Sequence, residues 1–272
     1  MDIITNQAFF PEGPLVRDGI LYYAEYGGNR VSAWDGNTTR IFWSRQGSGP
    51  SAIGALGDNF IAACFSSNEV AIIAPDGKTL EILDKDQDGG PLLGPNDIAP
   101  DGKGGAYFTL SGPWEPGPII GRVMHLNTKG HIREVADDLH FANGLVRNGD
   151  GNRLLVVESE AHRIISFAIA ADGSLYDRRL FARMSALGEA ANAYPDGIKL
   201  GPDGNFYIGA YSSGRIVVAD QSGEALRVIE VPSAAAPNLA FSDDGRTIYV
   251  TAVDEPATPP YRGTVYALTG AC

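Results

Sequence analysis

The sequence predicts an all-β fold made of an internal repeat, and three observations predict it. First, five segments place a polar residue before small or apolar ones, then an Asp-Gly or similar turn about six residues on, then a short apolar strand. They begin at Glu12-Gly13-Pro14, Asn96-Asp97-Ile98, Asn143-Gly144-Leu145, Asp196-Gly197-Ile198 and Asn238-Leu239-Ala240, with turns at Asp18, Asp101, Asp150, Asp203 and Asp244. Second, the strands are short and the turns glycine-rich, 34 Gly and 17 Pro in 272 residues. Third, no stretch sustains a helical period, and only Met184 to Ala191 has room for a turn or two. A repeat of about 40 to 50 residues with these features is the blade of a β-propeller.

Each strand follows from an alternating or continuous apolar run. In order these are Ile20 to Ala24, Asn59 to Cys64, Val70 to Ile73, Ala106 to Thr109, Val123 to Leu126, Leu154 to Val157, Ile164 to Ala168, Phe206 to Ala210, Ile216 to Ala219, Ile248 to Val250 and Thr264 to Ala267. The gap between the first two repeat starts is about twice the others, so a degenerate unit is expected at Ser51-Ala52-Ile53, with Gly57-Asp58-Asn59 as its turn. The expectation is a single domain over 1–272, a six-bladed β-propeller with four-stranded antiparallel blades. The last blade has too few strands after Asn238, so Ile3-Ile4-Thr5 is expected to supply its outer strand and close the ring. The stretches 84–95, 111–120, 184–195 and 253–262 are read as blade loops.

Bulk composition excludes some partners. With 21 Lys and Arg against 33 Asp and Glu, a net charge of −12, the chain lacks the basic face that nucleic acid or an anionic membrane requires. No apolar window of spanning length and no leader-like start are present, so a cytoplasmic location is expected. Cys64 lies in an apolar run and Cys272 is terminal, which reads as a buried thiol and a frayed end rather than a disulfide. The oligomeric state is not fixed by the sequence.

Inner strands of a propeller run in one sense along a central channel, so residues in one phase of the repeat gather at one mouth. Glu12, Asn143 and Asp196, with Asn96 beside them, bring two carboxylates and two amides there. Singly, Asn143-Gly144 and Asp196-Gly197 are ordinary turn dipeptides and Glu12 is a surface carboxylate; the shared phase selects them. Two carboxylates at close range repel unless a cation sits between them, and oxygen donors suit a hard divalent ion. Ca²⁺ comes first, with Mg²⁺, Mn²⁺ and Zn²⁺ as alternatives. Asn238 is left out of the metal set, since its amide can serve merely to satisfy backbone groups.

Asp84-Lys85-Asp86-Gln87-Asp88-Gly89 begins like a calcium loop, but Pro95 stands where the final Glu is required, so it reads as a solvated acidic loop. His125, His131 and His162 read as structural or surface residues, whereas His140, three residues before Asn143, is in reach of the channel rim. With Trp114 and Tyr194, it is a candidate substrate contact. Phe9, Phe10 and Tyr211 are further candidates for a pocket wall. Nucleophile-elbow, phosphate-loop and zinc motifs are absent.

The set Glu12-Gly13-Pro14, Pro95-Asn96-Asp97, Asn143-Gly144-Leu145 with His162-Arg163, and Pro195-Asp196-Gly197 with Asp203-Gly204 resembles the SMP-30/gluconolactonase/luciferin-regenerating-enzyme family over nearly the whole chain. That resemblance implies a six-bladed propeller that hydrolyses lactones with one divalent ion. It implies Glu12, Asn143 and Asp196 as metal ligands, Asp196 also as general base, and Asn96 as a catalytic residue touching metal-bound water or substrate. Sugar-lactone members often carry Arg two residues before the matching Asn and a Thr-Asp pair at the end of the next strand. Here these places hold Gly94 and Thr109-Leu110. The expected substrate is therefore a small-molecule lactone or ester less polar or bulkier than gluconolactone. The alternatives are a non-hydrolytic propeller enzyme, catalysing a condensation or ring rearrangement in a biosynthetic pathway, and a non-catalytic binding propeller.

Overall fold

The computed structural model describes residues 1–114 and 118–270. The frayed end expected at Cys272 and part of the 111–120 loop lie outside the described residues. The described strands form six four-stranded antiparallel sheets. Blades 1 to 5 span 11–44, 50–83, 95–139, 142–183 and 195–230. Blade 6 takes three strands from 235–269 and its outermost from the N-terminus, Asp2–Phe9. That strand pairs Ile3 with Tyr266 and Ala8 with Gly263, so the ring closes as the sequence implied. The degenerate second blade exists, and Met184–Leu187 is a single short 3₁₀ turn stopped by Gly188.

The apolar runs are middle strands of the blades, which are covered on both faces by neighbouring blades and so read as continuous hydrophobic sequence; of the twelve middle strands only Arg30–Trp34 of blade 1 was missed. The outer strands escape such a reading because they are solvated. Ala225–Glu230, for example, is exposed at nearly every position and is a strand because Arg215–Ala219 pairs with it. Inner strands such as Pro195–Leu200 escape it because they start with Pro and Gly and carry an irregularity.

Six apolar clusters fill the six junctions between consecutive blades. One of the two largest joins blades 2 and 3 through Ile61, Ile98, Phe108 and Met124. The smallest, Ala8, Leu21, Tyr23 and Val265, is the seam between blades 6 and 1, and the N-terminal strand supplies Ala8 to it. Each fully buried Leu, Ile or Phe contributes about 1.5–3 kcal/mol, so the seam is the weakest of the six. Cys64 is buried in the junction of blades 1 and 2.

All six inner strands break register immediately after their first or second residue: between Glu12 and Leu15, Pro50 and Ala52, Pro95 and Ile98, Ala142 and Leu145, Pro195 and Ile198, and Ala235 and Asn238. A bulge re-aims the side chains beside it. Here it lets residues next to each other in sequence, such as Asn96 and Asp97, both address the channel.

Candidate active site

The bulges place Glu12, Ser51, Asn96, Asn143 and Asp196 around one cavity of about 230 Å³ at the channel mouth. One member of the repeat phase needs correction. Asn238 follows the bulge of blade 6 and pairs with Thr251, as Ile98 pairs with Phe108 in blade 3, so the position matching Asn96 is Ala236. Asn238 sits below the mouth, where its Nδ2 donates to Asp97 Oδ2 at 3.3 Å and its Oδ1 accepts the Leu239 N–H at 2.9 Å. The repeat had not signalled a second polar layer, made of Asp97, Lys199 and Asn238.

Glu12, Asn143 and Asp196 are all buried. Burial, then the charges of Asp196 and Asp97, push the Glu12 carboxyl well above the usual carboxylate range. Burial and Asp97 raise Asp196 to about 7, against hydrogen bonds shared with the Asn143 amide and Glu12. Without a cation, the pair keeps a proton at near-neutral pH. Lys199 relieves Asp196 only in small part, because its ammonium is engaged by Asp97 at 3.1 Å.

The Asn143 amide is held by its own supports. Its Nδ2 donates to Ser159 Oγ at 3.2 Å, and Ser159 Oγ donates to the Pro195 carbonyl at 2.7 Å. The Asn143 backbone carbonyl accepts from Thr109 Oγ1 at 2.8 Å. Asn143 Oδ1 is left buried with no hydrogen-bond partner. An orphaned buried acceptor beside two charge-frustrated carboxylates is what a hard cation would satisfy. Among the described residues no group of three or more His, Cys, Asp and Glu could hold a metal, so any ion here depends on the amide oxygen.

Above these groups the cavity wall is aromatic, and six rings form a closed collar. Phe10 meets Tyr26 at 5.7 Å, Tyr26 meets Phe65 at 6.2 Å, and Phe65 meets Phe141 at 6.5 Å between centroids. Phe141 meets Trp114 at 4.6 Å, Trp114 meets Tyr211 at 6.3 Å, and Tyr211 returns to Phe10 at 6.2 Å. Tyr194 packs behind Trp114 and Tyr261 behind Phe10. Trp114 and Tyr194, singled out in the sequence, line the cavity with Asn96; so do Phe10 and Tyr211. His140 does not: it lines a separate small cleft behind Phe141, with Glu160 and Ile119. His125 is buried on blade 3 against Asp101, at 2.9 Å, and His162 contacts the Ala193 carbonyl. The acidic loop closes on itself, with Asp86 Oδ1 accepting from the N–H groups of Asp88 and Gly90.

Sequence reasoning missed Tyr26, Phe65, Phe141 and Tyr261. A second phase of the repeat carried three of them. Phe10, Gly49, Phe141 and Tyr194 each precede an inner strand, and their carbonyls accept from Tyr26, Phe65, Ser159 and Tyr211, each just past the next strand. That phase was visible only as scattered single aromatic residues.

Comparison with known proteins fits this architecture. The sequence model of a family described as SMP-30/Gluconolactonase/LRE-like region matches residues 10–254. The chain is 24% identical over 193 residues to a diisopropyl-fluorophosphatase from Loligo vulgaris, covering 66% of this chain and 60% of that one. Among solved structures, a gluconolactonase from Xanthomonas campestris superposes with a TM-score of 0.81 at 22% identity, over 98% of this chain and 89% of the other. A calcium-binding regucalcin from Agrobacterium tumefaciens gives 0.82 at 16% identity, over 98% and 92%.

Proposed function

Because the chain belongs to the SMP-30/gluconolactonase/LRE-like family, we propose that it is a metal-dependent hydrolase that opens a lactone to a hydroxy acid. The observation that carries this reading is the partnerless Asn143 Oδ1 beside the buried Glu12 and Asp196 at the floor of the cavity. Relatives named for gluconolactone and fluorophosphate hydrolysis support the class.

Glu12, Asn143 and Asp196 would hold one divalent ion, Ca²⁺ first, as the calcium-binding regucalcin suggests. When bound, such an ion supplies a Lewis acid for the ester carbonyl and neutralises the two carboxylates. Asp196, which such an ion would keep in its carboxylate form, would accept the proton of the attacking water as general base. Asn96, half-buried at the cavity edge, would orient substrate or water with its amide. Trp114 and Tyr194 wall the cavity and exclude solvent from the reacting carbonyl.

The reading includes a substrate less polar than gluconolactone. Gly94 cannot carry the arginine common in sugar lactonases without displacing backbone, since a Cβ there would lie 2.5 Å from the Gly112 carbonyl oxygen. Leu110 is fully buried and offers no polar group.

The test is hydrolysis of a lactone panel, from aldonolactones to alkyl and aromatic lactones, by chelator-stripped protein refilled with Ca²⁺, Mg²⁺, Mn²⁺ or Zn²⁺. Activity should vanish with the ion and return with one of them. Asp196→Asn should lower kcat about 100-fold or more while the protein stays folded. Tight ion binding without any hydrolysis would instead favour a non-hydrolytic enzyme, and no ion binding would refute the metal site.

A further inference from the structure

Phe10 and Phe141 occupy one structural position, the residue just before the inner strand, in blades 1 and 4. These blades stand three places apart in the six-membered ring and so face each other across the channel. Both phenylalanines have left-handed backbones, φ 50° and 54°. The same position in blades 2 and 3 is Gly49 and Gly94, φ 48° and 64°. The conformation is therefore one where glycine sits without penalty and a side chain does not. At Gly49 and Gly94 a Cβ would also lie 2.2 Å from Ser66 Oγ and 2.5 Å from Gly112 O. Where a Cβ does fit, the chain carries a phenyl ring against the backbone preference.

One device holds both rings, built twice. The N–H before each phenylalanine donates to a buried carboxylate, Phe9 to Glu25 Oε2 and His140 to Glu158 Oε1, each at 3.0 Å. Each carboxylate is locked by an arginine five residues on, Arg30 to Glu25 at 2.8 Å and Arg163 to Glu158 at 2.6 Å. Neither glutamate lines the cavity, whereas both rings do. Strain maintained by a dedicated support, at two facing places on a cavity wall, marks a ligand clamp rather than a packing accident.

We infer that the collar recognises the non-reacting part of the substrate as a flat apolar group, aromatic or conjugated, and that Phe10 and Phe141 are its specificity-determining residues. Tyr26, Phe65, Trp114 and Tyr211 complete the ring, and among the described residues no charged side chain interrupts it. A planar group entering it meets aromatic faces and edges on every side. Because both rings are fixed before the ligand arrives, little ordering opposes binding. This inference deepens the hydrolase reading and rests on it for the reacting end of the molecule.

The probes are two lactams that resist opening: dihydroquinolinone, the isostere of dihydrocoumarin, and valerolactam, which lacks the fused ring. Calorimetric titration of the ion-loaded protein should show dihydroquinolinone bound about tenfold more tightly. Phe10→Gly and Phe141→Gly should each cut that ratio to about threefold or less, with the affinity for Ca²⁺ unchanged. Glycine suits the backbone there, and Phe141→Leu, which keeps apolar volume without a ring, should lose the preference as well. Equal binding of the two lactams by wild type, or an undiminished ratio in all three variants, overturns the inference. Lactone turnover with no aromatic preference would overturn it alone; a preference that the variants abolish, without turnover of any lactone, would sink the hydrolase reading and leave the clamp standing.

Discussion

The Lys199 ammonium reaches from blade 5 to blade 3 across the channel and lies 3.1 and 3.3 Å from the two carboxylate oxygens of Asp97. Asp97 in turn repels both Glu12 and Asp196. Three carboxylates and one ammonium leave the channel two negative charges in excess, which one divalent ion would balance. Asp97→Asn should then weaken Ca²⁺ binding and Lys199→Met should strengthen it, each by about tenfold or more, and the double variant should return near wild type. Calorimetric titration of stripped protein reads this directly. Singles that shift affinity in the same direction, or not at all, would show that the pair is only structural.

Metal-free protein should lose stability as pH rises through neutrality. The Asp196 carboxyl is held at about 7 in the folded chain by burial and by Asp97, above its value of about 3.9 when unfolded. A group whose folded pKa is raised contributes stability fully present below the unfolded pKa and lost as pH climbs through the folded one. Between about pH 4 and 7, stripped wild type should therefore fall behind Asp196→Asn by several degrees in Tm. Added Ca²⁺ should reverse the gap for wild type. A difference in Tm that stays constant across that window would count against the buried charge.

Ser159, itself anchored on the Pro195 carbonyl, accepts from Asn143 Nδ2 and so orients the amide, whose Oδ1 has no hydrogen-bond partner. Ser159→Ala should reduce Ca²⁺ affinity about tenfold, as loss of an outer support to a ligand does, with the melting temperature nearly unchanged. Unaltered affinity would mean that the blade alone orients Asn143.

Gly94 combines a left-handed backbone with a Cβ position closed by the Gly112 carbonyl. Gly94→Ala should destabilise the fold by about 2 kcal/mol or more in denaturant unfolding. Wild-type stability would show that the 112 segment yields readily and that an arginine at this place is a simple substitution away.

How far the sequence reached is visible in Asn143 and Asn238. For Asn143 the repeat phase sufficed, because strand and turn spacing fix how far along the channel a residue stands, and the ring turns that height into proximity. For Asn238 the same counting was two residues out, because the hairpin after the bulge runs longer in blade 6, from Asn238 to Phe241 against Ile98 to Pro100 in blade 3, and no local signal announces it.

The sequence by itself determined the six-bladed ring, its closure by the N-terminal strand, and the set Glu12, Asn96, Asn143 and Asp196, since backbone pairing and turn chemistry repeat along the chain and are read locally. Only the tertiary structure decided that Lys199 belongs to Asp97, that Asn143 Oδ1 is left without a partner, that His140 turns away from the cavity, and that six scattered aromatic residues close into one collar. These are contacts between blades, between residues remote in sequence, and they depend on side-chain reach across a shared axis rather than on any period within a blade.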